Sequence, residues 1–264
     1  MAGVASHPAL VSLKAYFAGL ESVLVTFSGG VDSTVLAQVA SDVLGSRAVA
    51  LTAVSPSLAA GELDEARALA TRIGIRHLVV RSHELENPAY AANPANRCFF
   101  CKTELFTLAA AKAGELGVRA IVEGTHPDDL TGPRPGLEAA RAHGVRSPFL
   151  DLGIGKAQIR AIARQYGLPN WDRPALACLS SRLPTGTAVT VERLGQVDRC
   201  EQGVRALGLA QVRARHHGPT VRLEVSPSEL ARFADPAVSA GAVAAARAAG
   251  FSTVLLDLAG YHRA

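Results

Sequence analysis

Ser28-Gly29-Gly30-Val31-Asp32-Ser33 combines the residue types needed to hold a phosphate chain. Two adjacent glycines let the backbone turn tightly and bring N–H groups against phosphate oxygens. The hydroxyls of Ser28 and Ser33 add donors, and Asp32 has the hard oxygen that Mg²⁺ prefers. A Walker A loop is excluded, because no Gly-x4-Gly-Lys-Ser/Thr occurs and Gly155-Lys156 is followed by Ala157. The loop therefore suits cleavage between the α and β phosphates better than transfer of the γ phosphate. Farther along, Asp128 and Asp129 in Gly124-Thr125-His126-Pro127-Asp128-Asp129 are either a magnesium–pyrophosphate contact or a solvated acidic loop. Lys156 is either a neutraliser of pyrophosphate or a surface charge.

The thiols form the second group. Cys98 and Cys101 stand in a Cys-x-x-Cys at a helix start, where the dipole favours thiolate; Cys178 lies far from them in sequence. The pair can be two small buried residues, half of a zinc site, or two ligands of an iron–sulfur cluster. Zinc needs four protein ligands, and no matching Cys or His pair stands at finger spacing. Three thiolates, Cys98, Cys101 and Cys178, suffice for a [4Fe-4S] cluster with one iron left open. Cys200 falls within an amphipathic helical pattern and reads as core. In Val212-Arg213-Ala214-Arg215 the alternation sends both guanidiniums to one strand face, as an anion clamp or as a solvent face.

These residues need a scaffold. Ser22–Phe27, Ala48–Val54, His77–Arg81 and Arg119–Glu123 read as apolar strands, alternating with helical patterns at Ser33–Leu44, Glu62–Ile73 and Cys101–Leu116. A Pro/Asn-rich stretch, Glu86–Arg97, reads as loop, and Lys156 opens a further helix. Near-continuous apolar strands between amphipathic helices predict an α/β fold, a doubly wound parallel sheet. Ligands of such sheets sit beyond the carboxyl ends of the strands, where both phosphate-binding segments fall. After the Pro/Gly-rich stretch Pro169–Gly186 the pattern changes. Helices near Val191–Leu207, Ser228–Phe233 and Ala237–Ala249, with strands Gln211–His216, Val221–Val225 and Thr253–Leu258, predict a smaller C-terminal α+β domain. The expected boundary gives residues 1–175 to the nucleotide domain and 176–264 to the second.

At 264 residues with 19% charged, the chain can build such a core. No twenty-residue apolar run and no secretory signal occurs, so the expectation is a cytoplasmic protein without a membrane span. A net charge of +4 with scattered basic residues favours small anionic ligands over nucleic acid.

Ser28–Ser33 resembles the signature of the PP-loop ATP pyrophosphatases, a class that includes GMP synthetase, NAD synthetase and tRNA-thiolating enzymes. Further segments narrow the resemblance: Glu123–Asp129, Arg134-Pro135-Gly136, Gly144–Pro148, Arg97–Lys102 and Ala177-Cys178-Leu179-Ser180-Ser181-Arg182. Together they are similar to the LarE family of ATP-dependent sulfur transferases, over about residues 15–262. The resemblance implies ATP and Mg²⁺ at Ser28, Gly29, Gly30, Asp32, Ser33, Gly124, Thr125, Asp128, Asp129 and Lys156. It implies substrate contacts at Ser181, Arg182, Arg213 and Arg215, and a metal or substrate contact at Glu201. The implied substrate is a pyridinium biscarboxylate mononucleotide, whose carboxylates are adenylated and converted to thiocarboxylates for a nickel-pincer cofactor. Sulfur comes from a cluster on Cys98, Cys101 and Cys178, or from sacrifice of Cys178, which leaves dehydroalanine. The family also suggests a homo-oligomer. One departure is Pro184-Thr185-Gly186-Thr187, where the family carries Tyr at the second position. An amide-forming ligase, a tRNA-thiolating enzyme and a non-enzymatic nucleotide sensor are the competing readings.

Overall fold

The computed structural model describes residues 7–130, 132, 134–174 and 177–261. Its elements, numbered along the chain, begin with α1 (Pro8–Ala18), β1 (Val23–Thr26), α2 (Val31–Leu44), β2 (Ala48–Val54), α3 (Glu62–Ile73) and β3 (Arg76–Arg81). There follow α4 (Pro88–Ala91), α5 (Arg97–Leu116), β4 (Ala120–Val122), α6 (Pro135–Ala142), α7 (Pro148–Asp151) and α8 (Lys156–Gln165). The chain continues with α9 (Val191–Arg205), β5 (Val212–His217), β6 (Thr220–Val225), α10 (Pro236–Ala248) and β7 (Thr253–Leu256). Two compact units result. Unit 1 holds the described residues of Met1–Ser55, Gly61–Glu84 and Asn96–Leu176; unit 2 holds those of Pro56–Ala60, Leu85–Ala95 and Ala177–Ala264.

In unit 1 four parallel strands run in the order β3-β2-β1-β4. β1 is buried along its whole length: Val23 and Val25 join the core of Leu13, Phe17, Val35 and Ile159, while Leu24 packs with Leu51, Ala109 and Ala113. Burial on both faces explains why β1 and β2 read as near-continuous apolar runs. The strand order turns back between β1 and β4, the crevice where doubly wound sheets take ligands.

Unit 2 carries a three-stranded sheet, β5-β6-β7, antiparallel then parallel. α9 and α10 cross closely because Gly203 has no side chain: a Cβ there would stand 2.7 Å from that of Ala245. Two local expectations change. The stretch 86–97 contains the short α4, opened by the Asn87 side chain accepting from the Ala89 amide. The helix expected at Ser228–Phe233 is a 3₁₀ run, Pro227–Ala234. Among the described residues no helix is long and apolar enough to cross a membrane.

Candidate active site

The corner between β1 and α2 is built from Ser28, Gly29 and Gly30. Gly29 takes φ +75°, and a Cβ there would stand 3.3 Å from Ala66 Cα, so glycine answers both the turn and the close approach. The loop bonds to itself. Ser33 Oγ accepts from the Ser28 amide at 3.2 Å and donates to Gly30 O at 3.1 Å, while Ser28 Oγ accepts from the Gly30 amide at 3.3 Å. Thr34 Oγ1 also donates to Gly30 O, at 2.8 Å. The helix start beyond it supplies the positive dipole end that favours anions.

The loop after β4 comes in against this corner. A Cβ on Gly124 would lie 3.1 Å from Asp32 Cβ and 3.3 Å from the Ser33 amide. Beside it Lys156, the first residue of α8, places Nζ 2.6 and 2.8 Å from the two oxygens of Asp32. Its backbone N–H donates to Asp128 Oδ2 at 2.5 Å. Buried His126 stands 3.4 Å from Asp129, 3.6 Å from Asp128 and 3.9 Å from Asp32. Thr125 instead turns its hydroxyl to buried Glu123 at 2.7 Å, which also accepts from Ser147 Oγ at 2.6 Å. Asp32, Asp128, Lys156 and the Gly124 backbone are thus brought together, with Thr125 bonding beneath them to Glu123. Mg²⁺ held mainly by ATP oxygens needs only one or two protein carboxylates, and partly exposed Asp32 fits that donor chemistry.

His126 and Asn170 were missed in the sequence. Nδ2 of buried Asn170 donates to Gly29 O at 2.8 Å and to Thr34 Oγ1 at 3.0 Å. The same residue helps line a cavity of about 710 Å³ with Leu69, Arg72, Pro169 and the ion pair Glu65–Arg173. Contacts distant in sequence reveal both, Gly29 for Asn170 and Asp32 for His126.

In unit 2, Cys178 is exposed and precedes the 3₁₀ turn Leu179–Arg182. Arg182 is nearly fully buried and binds Glu201 with two nitrogens, Nε at 2.8 Å and Nη2 at 3.1 Å. Its Nη1 donates to Cys178 O at 2.8 Å, to Ala177 O and to Ser181 Oγ, which ties the cysteine segment to α9. Glu201 also accepts from Arg205 at 2.7 Å and from the Ala214 amide at 3.0 Å. Arg215 donates to Glu224 at 2.9 Å and to Ser181 O at 2.8 Å. Arg213 lies over the Tyr261 ring, 5.5 Å from its centre. Burial first, and then the Arg182 charge, lower the pKa of Arg213, so an anion at this guanidinium would relieve its repulsion. Arg205 and Glu224 were not singled out in the sequence; a buried guanidinium's need for a carboxylate was the available signal.

Burial alone would raise the pKa of Glu201, yet the Arg182 hydrogen bonds and charge hold it below the ordinary glutamate value. Its stabilisation is therefore complete above the unfolded value of about 4.3 and is lost as pH falls through the folded value. Glu201→Gln should destabilise unit 2 by about 3–5 kcal/mol at neutral pH, because Arg182 stays buried without its anion. The loss should shrink below pH ~4; thermal melts of both proteins from pH 3 to 7 measure it.

Cys98 and Cys101 lie one turn apart at the start of α5, the first exposed and the second partly so. Cys200 is buried, and burial, with Glu201 beside it, pushes its thiol up to about 12, which keeps it protonated. Among the described residues no group of three or more His, Cys, Asp or Glu is gathered to hold a metal ion. Cys98, Cys101 and Cys178 are all at least partly accessible, and thiolate is the donor type that iron–sulfur clusters take.

Residues 10–94 match the family model described as NAD synthase. An uncharacterized protein of Synechocystis sp. is 46% identical over 252 residues, 96% of this chain and 94% of its own length. The pyridinium-3,5-bisthiocarboxylic acid mononucleotide synthase of Lactiplantibacillus plantarum is 33% identical over 251 residues, 95% of this chain and 90% of its own. Near-complete coverage of both chains, with the phosphate loop at the β1–α2 corner, settles the assignment: the chain belongs to the LarE family of ATP-dependent sulfurtransferases.

Proposed function

We propose that the enzyme converts the two carboxylates of pyridinium-3,5-biscarboxylic acid mononucleotide to thiocarboxylates, supplying the sulfur ligands of a nickel-pincer nucleotide. The observation that carries the ATP half is the Asp32–Lys156 pair beside the glycine loop, a cation and a carboxylate placed for magnesium pyrophosphate. The substrate comes from the name of the L. plantarum relative. A substrate carboxylate oxygen attacks the α phosphorus of ATP, and the bond to the β phosphate breaks to release pyrophosphate. The acyl adenylate then carries AMP as a good leaving group. Lys156, Asp32 with Mg²⁺ and the loop amides stabilise the charge that develops on pyrophosphate.

Sulfur attack on the acyl carbon expels AMP. Cys178 is exposed on a segment whose carbonyls Arg182 fixes, as a donor or ligand must be. If Cys178 is the donor, its thiolate forms a thioester. Loss of its Cα proton then breaks the Cβ–Sγ bond, leaving dehydroalanine and a thiocarboxylate. A [4Fe-4S] cluster on Cys98, Cys101 and Cys178 is the form we favour, because it accounts for the Cys-x-x-Cys pair and can be reloaded. When bound, it would supply sulfide. Arg213 and Arg215, with Ser181, bind the substrate phosphate. Glu201, whose oxygens already serve Arg182 and Arg205, would take part in any metal or substrate contact through those arginines. The domain division at 175/176, a cytoplasmic location and a homo-oligomer complete the proposal.

The match to the NAD synthase model favours one second reading, an amide-forming ligase, which leaves Cys98, Cys101 and Cys178 without a task. Pyrophosphate release should rise on adding the pyridinium biscarboxylate mononucleotide. Release stimulated instead by nicotinic acid adenine dinucleotide and ammonia would establish the ligase. Release stimulated by undermodified tRNA would establish an RNA-thiolating enzyme, and no release with any acceptor would leave a nucleotide sensor.

A further inference from the structure

The loop Ser28–Ser33 works through its amides, so the direction of each peptide plane decides whether a phosphate meets a donor or an acceptor. The Gly29–Gly30 peptide is the weakest point, since neither flanking residue has a Cβ to resist rotation. In the structure this one peptide is held at both ends. Its N–H donates to Ser28 Oγ at 3.3 Å, and its carbonyl accepts from Asn170 Nδ2 at 2.8 Å. The second contact reaches across 141 residues, from the segment after α8. The same Nδ2 donates to Thr34 Oγ1 at 3.0 Å, and Thr34, fully buried, donates in turn to Gly30 O at 2.8 Å. Both glycine carbonyls are thereby bonded to buried side chains.

Asn170 is held here against its own hydrogen-bonding balance. It is 5% exposed, and among the described residues its Oδ1 has no hydrogen-bond partner. A buried acceptor left unpaired lowers stability. The amide orientation is nonetheless fixed, because the reverse would set Oδ1 against the Gly29 carbonyl.

We propose that Asn170 is a positioning residue for the pyrophosphate end of ATP: it locks the Gly29–Gly30 peptide by holding its carbonyl on a buried amide, so that this carbonyl cannot turn outward and meet a phosphate. The inference rests on the reading that this loop binds the β and γ phosphates. It predicts a selective defect. Asn170→Leu, close in size but without a donor, should raise the Kd for ATP and for magnesium pyrophosphate about tenfold, with the Kd for AMP changed by less than about twofold. Thr34→Val, which keeps the shape but removes the hydroxyl that helps orient the Asn170 amide, should loosen the same lock and show the same selectivity with a smaller factor. Titrations run well below each variant's melting temperature separate affinity from folding, and Thr34→Val carries the test if Asn170→Leu does not fold. Unchanged pyrophosphate affinity in the folded variants would overturn the proposal, as would equal losses for AMP and pyrophosphate. A wild-type protein that failed to bind pyrophosphate would overturn the reading of the loop, and this proposal with it.

Discussion

Asp32→Asn should lower pyrophosphate release by about 10²–10³-fold, the usual cost of removing one group that stabilises charge in the transition state. Two losses coincide at this residue. Asn is a poorer Mg²⁺ ligand than a carboxylate, and the anion that holds Lys156 Nζ 2.6 Å away disappears. Stability should change little. The Asp32 and Lys156 side chains are 27% and 18% exposed, and a partly solvated pair contributes about 0–1 kcal/mol. The favourable position of Asp32 at the start of α2 adds about 0.3–1 kcal/mol. A melting curve near wild type together with collapsed pyrophosphate release is therefore the expected pair of results. Release at the wild-type rate would remove Asp32 from the site.

Cys178→Ala should abolish thiocarboxylate formation while ATP–pyrophosphate exchange continues, because adenylation needs no thiol. Both sulfur chemistries share that outcome, and Cys98→Ala separates them. If the three cysteines hold a cluster, anaerobically purified protein is brown with acid-labile sulfide, Cys98→Ala diminishes both, and turnover leaves the polypeptide mass unchanged. If Cys178 is sacrificed, the protein is colourless, Cys98→Ala spares the first turnover, and the chain becomes lighter by one H₂S. A colourless, iron-free preparation with repeated turnover would contradict the cluster.

Local chemistry made much of the fold legible. β2 and α3 occur where the patterns placed them, at Ala48–Val54 and Glu62–Ile73, because burial on both sheet faces and a charged helix surface leave strong periodic marks. The loop at Ser28–Ser33 was legible because Gly-Gly between a strand and a helix has few other uses. α1 and α6 were not assigned. The first is capped by His7 ahead of Pro8, and the second starts at Pro135 with only eight residues, so neither shows the usual opening of Ser, Thr, Asp or Asn.

Side-chain partners were less legible than residue types. Lys156 could be seen to open a helix, but its bond to Asp32 spans 124 residues and no spacing announces it. Asn170 is silent for the same reason. The alternation of Arg213 and Arg215 put both on one strand face. Their surroundings, Tyr261 for one and Glu224 with the Ser181 carbonyl for the other, depend on how β5, β6 and the cysteine segment pack. The buried Arg182–Glu201 pair shows the limit of inference by type: each residue looked available to a ligand, and each is bonded to the other and to further groups of unit 2.

The most direct measurement is the mass of the product formed from ATP, Mg²⁺ and pyridinium-3,5-biscarboxylic acid mononucleotide with anaerobically prepared enzyme, read alongside AMP and pyrophosphate. The account predicts sulfur in place of one oxygen at each carboxylate, with one AMP and one pyrophosphate released per sulfur installed. An unchanged mononucleotide beside an enzyme that still hydrolyses ATP, or a product carrying nitrogen instead of sulfur, would contradict it.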